Sequence, residues 1–409
     1  VSNAGNSTSG TAARGPRDIL VLGGGFGGLS TARELQKHLP PTDRITLIDQ
    51  SGSQVQGLSL LWLMRGWRSL DEVTVAPTQR ALGRARQVTA EVRALDLDGR
   101  TVHTGAGEFG YDALVVALGA GLDTAALPGL DEALSVGTAA HYYTAEAAVD
   151  AHTKLNAVRT GRVVFLVTGI PYRCPAAPYE GAMLAGCLLT ENGVRDHVAL
   201  DIYTPEPQPM PVAGPVVGQG VVSLLDAQGI GFHPGHQPEQ VDAGAREVVF
   251  ADGTRVPFDL LVVVPPHRPP AAVAEAGLSP AGWIPVDAHT LAAGPEGVWA
   301  LGDVAAITLV NGKPLPKAAV FAKAQAEAVA RGVARRLGHA APEPHFSGRG
   351  HCYLETGGRM AARGAGDFYH PDGPKVLLEE PSAELHRAKA QEETDWLEQW
   401  NNSTATPAG

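Results

Sequence analysis

The chain has 409 residues, 44% hydrophobic and 18% charged, with a formal net charge of −11. That length allows two or three domains with cores of their own, and the acidic balance, spread along the chain, lacks the basic face that nucleic acid requires. No apolar run approaches the roughly 20 residues that cross a bilayer, and three cysteines (Cys174, Cys187 and Cys352), none in a CxxC pair, are too few for a disulfide scaffold.

Residues 1–15 are small and polar without an apolar centre, and read as a disordered leader rather than a signal peptide. A strand over 18–22 then runs into Gly23-Gly24-Gly25-Phe26-Gly27-Gly28, a helix over 27–38 and a strand over 44–49. Gly23, Gly25 and Gly28 fit G-x-G-x-x-G. The first allows the tight turn, the second lets backbone approach a pyrophosphate, and the third lets helix pack close to strand. The helix N-terminus offers free amides and a positive dipole end to phosphate. Such glycines alone are a weak signal, because any tight strand-to-helix turn favours them. Here Asp49 follows at the end of the next strand, placed to accept hydrogen bonds from an adenosine ribose, with Gln50 beside it. That order makes a dinucleotide site.

Further strands are expected over 113–117, 163–168, 198–203, 260–264 and 298–301, with helical stretches between them, the pattern of a parallel sheet covered by helices. The new start at Val163 suggests a second unit of the same kind. The expected fold class is α/β: two Rossmann-like dinucleotide-binding folds, the second inserted in the first, plus a small C-terminal segment. The divisions are 16–150 with 285–344 for the first fold, 151–284 for the second and 345–409 for the last. A long alanine-rich helix is expected over 318–337, and beyond Pro342 and Pro344 the composition turns to Gly, His and aromatics.

Two later segments choose FAD for the first site. The run Tyr111-Asp112-Ala113-Leu114-Val115-Val116-Ala117-Leu118-Gly119 resembles the second signature of FAD-binding oxidoreductases with two dinucleotide folds, which usually ends Ala-Thr-Gly; Leu118 stands where Thr is usual. Gly297-Val298-Trp299-Ala300-Leu301-Gly302-Asp303 resembles the third, a strand ending in Gly-Asp whose carboxylate receives a ribityl hydroxyl. The bland reading of Asp303 is a strand-end turn residue; three elements in the right order outweigh it. The candidate cofactor residues are Gly23, Gly25, Phe26, Gly27, Gly28, Asp49, Gln50, Val92, Ala117, Gly119, Gly302, Asp303 and Lys317.

The second fold has no such turn. After the strand comes Thr168-Gly169-Ile170-Pro171-Tyr172-Arg173-Cys174-Pro175-Ala176-Ala177-Pro178-Tyr179-Glu180, with prolines and bulky side chains where backbone would have to approach a pyrophosphate. The nicotinamide site reads as lost and the loop as given over to chemistry. Cys174 precedes a helix starting near Tyr179, a position that can lower a thiol pKa.

From about Arg17 to Trp400 the sequence resembles the sulfide:quinone oxidoreductases and the flavoprotein subunit of flavocytochrome c sulfide dehydrogenase. The resemblance rests on 172–180, on Leu260-Leu261-Val262-Val263-Val264-Pro265-Pro266-His267-Arg268, on Lys317 and Gln325 bracketing Phe321-Ala322, and on Gly350-His351-Cys352-Tyr353-Leu354-Glu355. The Cys-Pro-x-x-Pro-Tyr-Glu loop is the most specific. It implies a redox pair of Cys174 and Cys352 beside the flavin, with Cys187 an ordinary buried helix thiol. Members of the quinone-linked type carry a third reactive cysteine soon after the second signature; 119–134 has none, which speaks against growth of long polysulfide chains. The segment 54–65 has no cysteine either, so the FAD is expected to be non-covalent.

The resemblance implies that hydrosulfide attacks a Cys174–Cys352 disulfide, leaving a persulfide on Cys174 and a Cys352 thiolate that passes two electrons to the flavin. Lys317 would add positive charge where reduced flavin becomes anionic. Glu180 is the candidate proton carrier, weighed equally against a first-turn carboxylate that merely suits the helix dipole. Pro266, His267 and Arg268 would face the acceptor, with a surface loop histidine as the equal reading of His267. Quinone is favoured as acceptor over a cytochrome c partner. The ground is that Leu60-Leu61-Trp62-Leu63-Met64-Arg65-Gly66-Trp67 and the stripe of Trp396, Leu397 and Trp400 would allow a peripheral membrane contact, although core packing is the commoner fate of such residues. The rivals are an NADH:quinone oxidoreductase of the same fold, and a flavin-stabilised redox sensor with the cysteine pair as its switch.

Overall fold

The computed structural model describes residues 15–279 and 282–401, so the leader expected over 1–15 falls, apart from Gly15, outside the described residues. The first sheet has five parallel strands in the order Val298–Ala300, Ala113–Val116, Asp18–Leu22, Arg44–Asp49, Arg86–Thr89. Successive side chains of a strand point to opposite faces, and here both faces are covered. Ile19 and Val21 pack with Leu29 and Leu35 of helix Phe26–His38 and Val329 and Val333 of helix Ala319–Arg336. Leu20 and Leu22 pack on the other side with Val102, Val273 and Ile284. This is why the strands read as continuous apolar runs.

The second sheet, also parallel, runs Ala139–His141, Leu260–Val264, Gly161–Val167, Val198–Tyr203, Gly231–His233. Val163, Phe165 and Val167 face helices Ala145–Ala157 and Ala177–Glu191, while Val164 and Leu166 face a three-stranded antiparallel sheet of Pro238–Asp242, Glu247–Phe250 and Arg255–Pro257. The second fold therefore begins before residue 151, because strand Ala139–His141 lies in its sheet. The two chain crossings run side by side, Gly121–Leu122 pairing antiparallel with His267–Arg268.

The C-terminal segment is an antiparallel sheet of Arg349–Gly357, Met360–Asp367 and Lys375–Ser382, followed by helix Ala383–Asn401. His386, Lys389, Glu393, Trp396 and Trp400 form one buried stripe at helical spacing. The helix touches both folds: Trp396 and Trp400 join the core of the first, and Ala390 packs against that of the second. The two segments expected at a membrane surface spend these side chains on packing: Trp396 is 2% exposed and Trp400 1%, Leu397 packs beside them, and Leu61, Trp62, Leu63 and Met64 are buried in the second core, so these side chains are not offered to a bilayer. Among the described residues no helix is long and apolar enough to cross a membrane.

Candidate active site

The glycine turn lies at the carboxyl end of the central strand, where the chain order of the first sheet reverses and ligands of such folds bind. Gly23 has φ +100°, and a Cβ there would stand 2.3 Å from the Ala117 carbonyl oxygen; one on Gly28 would stand 1.8 Å from that of Gly23. Both are required by the protein's own packing. A Cβ on Gly25 meets nothing nearer than Gln54 Oε1 at 3.8 Å, and one on Gly119 meets nothing within 4 Å. The open side of the turn is thus a cradle that a side chain would fill, and it fits a dinucleotide phosphate. Asp49 Oδ2 accepts from Gly24 N at 2.7 Å, and Oδ1 from the amides of Ser51 and Gly52 at 3.0 and 3.1 Å. The carboxylate expected to hold a ribose therefore also ties the turn to its own loop. It lines an empty space of about 170 Å³ with Gly24, Ser53, Gln54 and Gln87. Gln50 is exposed, and Val92 starts strand Val92–Asp96 at the margin of the first core.

A second space, of about 260 Å³, is lined by Gly302, Ala305, Leu315, Lys317, Phe321 and Gln325 among others. Gln325 accepts from Gly302 N at 2.8 Å, fixing the turn that carries Asp303. Burial raises the Asp303 carboxyl, opposed by the charges of Arg173 and Lys317. Lys317 donates through Nζ to the carbonyls of Asp303 and Ala305, and its own carbonyl accepts from Cys174 N at 2.8 Å. One residue thus joins the third cofactor segment to the cysteine loop. Burial pulls its ammonium down to about 8, so it stays mostly charged at neutral pH.

Cys174 is held in the left-handed region at φ 58°, which costs a non-glycine residue on the order of 1 kcal/mol and persists only where the surroundings enforce it. The bond from Cys174 N to Lys317 and a 2.9 Å bond from Ala177 N to the Cys174 carbonyl do so. Cys174 and Cys352 lie within electrostatic reach of one another and both are free thiols. The expectation of a lowered Cys174 pKa is overturned. Burial first, and then the Glu180 carboxylate, push the thiol up to about 11, against the pull of Lys389 and the amides of Ala176 and Ala177. The Cys352 thiol is raised too, chiefly by burial and then by Cys174. Cys187 is half-buried rather than buried, in contact with Arg65 Nη2 and Glu191 Oε1, each at 3.6 Å.

Glu180 is not a surface carboxylate of a first helical turn. It is 2% exposed and ion-paired to Lys389 of the terminal helix. Burial, with Glu355 adding to it, raises the carboxyl to about 7 against the opposing pull of Lys389. Lys389 lies 3.8 Å from Glu355, which in turn meets His386 Nδ1 at 3.0 Å. Lys389, Glu355 and His386 are functional candidates that the sequence reading missed. The signal was a lysine in the same helical stripe as two buried tryptophans, because a charge on a buried face needs a partner. Tyr142 was missed as well: its hydroxyl is buried beside the Tyr143 side chain and within electrostatic reach of Cys174 and Glu180. The neighbouring Tyr143 hydroxyl donates to the Arg173 carbonyl at 3.0 Å. His267, half-buried, bonds the Pro265 carbonyl through Nδ1 at 2.8 Å; burial and Arg173 pull it down to about 3, so it is neutral and not a surface histidine.

At the second fold's own switch point, the place of a phosphate turn is filled. Tyr172 and Tyr179 both donate to Glu206 Oε2 at 2.8 Å, all three buried. Between strand Gly161–Val167 and helix Ala177–Glu191 stands a single glycine, Gly169, without the second and third glycines of a phosphate turn.

The family model described as pyridine nucleotide-disulphide oxidoreductase matches residues 17–169 and 181–326, interrupted at the cysteine loop. The mitochondrial sulfide:quinone oxidoreductase of Mus musculus is 22% identical over 83% of this chain and 76% of its own length. The mitochondrial one of Dictyostelium discoideum is 26% identical over 70% of this chain and 64% of its own length. Among solved structures, the sulfide:quinone oxidoreductase of Aquifex aeolicus superposes with a TM-score of 0.84 at 23% identity, covering 96% of this chain and 93% of that one. The fold, the matched segments and the glycine cradle agree: this chain is an oxidoreductase that belongs to the pyridine nucleotide-disulphide oxidoreductase family.

Proposed function

We propose that the chain binds FAD non-covalently in the first fold and oxidises sulfide to sulfane sulfur through a Cys174–Cys352 redox disulfide, with a quinone as final electron acceptor. The observation that carries this reading is the position of the cysteine loop: Cys174 is bonded through Lys317 to the Asp303 turn, and Cys352 and Glu180 come to the same place from other elements. Hydrosulfide attacks Cys174 Sγ, the bond to Cys352 breaks, and Cys352 leaves with the electron pair as thiolate. The product on Cys174 is a persulfide, whose terminal sulfur the buried Tyr142 hydroxyl can hydrogen-bond, and whose proton Glu180 can take. Charge-assisted donation of this kind is worth about 1.5–3 kcal/mol where water is excluded. When bound, FAD supplies the two-electron acceptor for the pair left on Cys352. Gly23, Gly25, Gly28, Asp49, Gly302 and Asp303 would hold it, and Lys317 would place a positive charge beside it. Quinone over a cytochrome is favoured by the names of the relatives, since the two segments expected to reach a bilayer are core.

The test is anaerobic mixing of the FAD-loaded protein with sulfide or with NADH, followed by flavin absorbance. Sulfide should bleach the flavin, and NADH far more slowly, because Tyr172, Tyr179 and Glu206 occupy the second phosphate position. Rapid bleaching by NADH that saturates at low concentration, with none by sulfide, would reverse the assignment.

A further inference from the structure

Oxidation of hydrosulfide to a sulfane sulfur atom releases two electrons and one proton. The electrons leave through Cys352, and the carboxylate that acts on the half-buried Cys174, Glu180, is itself 2% exposed. From Glu180 four ionisable groups follow one another through the protein. Glu180 is paired with Lys389, Lys389 lies 3.8 Å from Glu355, and both Glu355 oxygens lie 3.0 Å from His386 Nδ1. Lys389 is 2% exposed, Glu355 0% and His386 9%, so the series runs from the most enclosed groups to the least enclosed one, His386, which lies beside Trp67 and is acted on by the exposed Arg359. A simple structural ion pair would need only Glu180 and Lys389. The second carboxylate leaves two negative charges facing one ammonium in a low-dielectric place, and such a cluster has room to take up one further proton, which would make it neutral.

We propose that Glu180, Lys389, Glu355 and His386 form a proton relay that carries the persulfide proton from the Cys174–Cys352 pair to the surface. The inference rests on the sulfide reading above and adds Lys389, Glu355 and His386 to it as positioning and proton-transfer residues. The balance is as follows: the S–H bond on Cys174 breaks, Glu180 takes the proton, Lys389 accepts it from Glu180 as it gives one of its own to Glu355, and Glu355 passes one to His386. The groups facing the relay are consistent with that direction. Cys174, Cys352 and Tyr142 surround its inner end, and Glu392, the other carboxylate facing Cys352, is held ionised by His351 and Tyr353. At the outer end Arg359, Arg68 and Arg387, with Lys389, keep His386 neutral and ready to accept, after burial as the first cause.

The test uses the FAD-loaded protein, anaerobic stopped-flow reduction by sulfide, and the variants His386→Ala and Glu355→Gln. Each should reduce its flavin on the order of 100-fold more slowly, the lower end of the range by which general acid–base groups act. Imidazole should restore His386→Ala, and a series of methylated imidazoles should restore it in order of base strength, whereas Glu355→Gln should not respond. Restoration independent of base strength would mean that imidazole only fills the cavity, and would overturn the relay, as would a wild-type rate in His386→Ala. A second measurement needs no turnover: infrared titration of the flavin-free protein should show a protonated-carboxyl band that titrates near the Glu180 value of about 7, absent from Glu180→Gln and retained in His386→Ala. Failure of wild-type protein to react with sulfide would refute the sulfide reading instead, and absence of the infrared band would refute the relay on its own.

Discussion

The cradle separates glycines that fold the protein from a glycine that binds its ligand, and Gly25→Ala measures the difference. Gly25 is the N-cap of helix Phe26–His38 with φ −74°, an angle that alanine adopts without strain. The added methyl meets nothing of the protein nearer than 3.8 Å. Alanine is a poorer N-cap than glycine by up to about 1 kcal/mol, and restricting the unfolded chain returns about 0.4–1 kcal/mol, so the flavin-free variant should unfold in urea within about 1 kcal/mol of wild type. The methyl would nevertheless stand where a pyrophosphate must approach the amides. Losing one charge-assisted hydrogen bond there costs about 1.5–3 kcal/mol, a weakening of roughly 10- to 150-fold in FAD affinity. The assay is titration of flavin-free protein with FAD, followed by quenching of flavin fluorescence, beside a urea curve on the same preparation. Gly28→Ala is the contrast: its methyl would lie 1.8 Å from the Gly23 carbonyl oxygen, so stability itself should fall, by about 1–3 kcal/mol for overpacking. Wild-type FAD affinity in Gly25→Ala would refute the cradle.

Other outcomes follow from the same geometry. Cys174→Ser and Cys352→Ser should each abolish flavin reduction by sulfide, because one sulfur must hold the sulfane atom and the other must leave, while Cys187→Ser, whose thiol is paired with Arg65 and Glu191 away from the loop, should stay active. Normal turnover in both single variants would remove the disulfide mechanism and leave the fold untouched. The raised carboxyl of Glu180 also gives a pH dependence with a definite sign. A carboxyl whose folded value, about 7, lies above its ordinary 4.5 contributes stability that is complete below 4.5 and is lost as pH rises through 7. The stability difference between wild type and Glu180→Gln, from urea curves between pH 4.5 and 8, should therefore fall with rising pH, by up to roughly 3 kcal/mol. A difference that grows with pH would show that the pair with Lys389 dominates the burial of the carboxyl.

The sequence determined what depends on near neighbours in the chain. Strands Asp18–Leu22, Arg44–Asp49, Val198–Tyr203 and Leu260–Val264 could be read to the residue, because a strand covered on both faces is a mainly apolar run, with its few charged residues chiefly at its ends. The glycine turn was legible for a related reason: the conformation of Gly23 and the close approach at Gly28 admit no other residue. What only the tertiary structure decided is what surrounds each side chain. Cys174 precedes a helix, which by itself lowers a thiol pKa, yet burial, and then Glu180 on that helix, raise it. Trp62, Trp396 and Trp400 are apolar whether they meet lipid or core, and only the packing of the terminal helix across both folds makes them core. That helix also brings Lys389 to Glu180 across 209 positions of sequence. A desolvation energy or an ion pair depends on the atoms within a few ångströms, and for a group buried between elements so far apart in the chain those atoms are set by the fold rather than by neighbours in sequence.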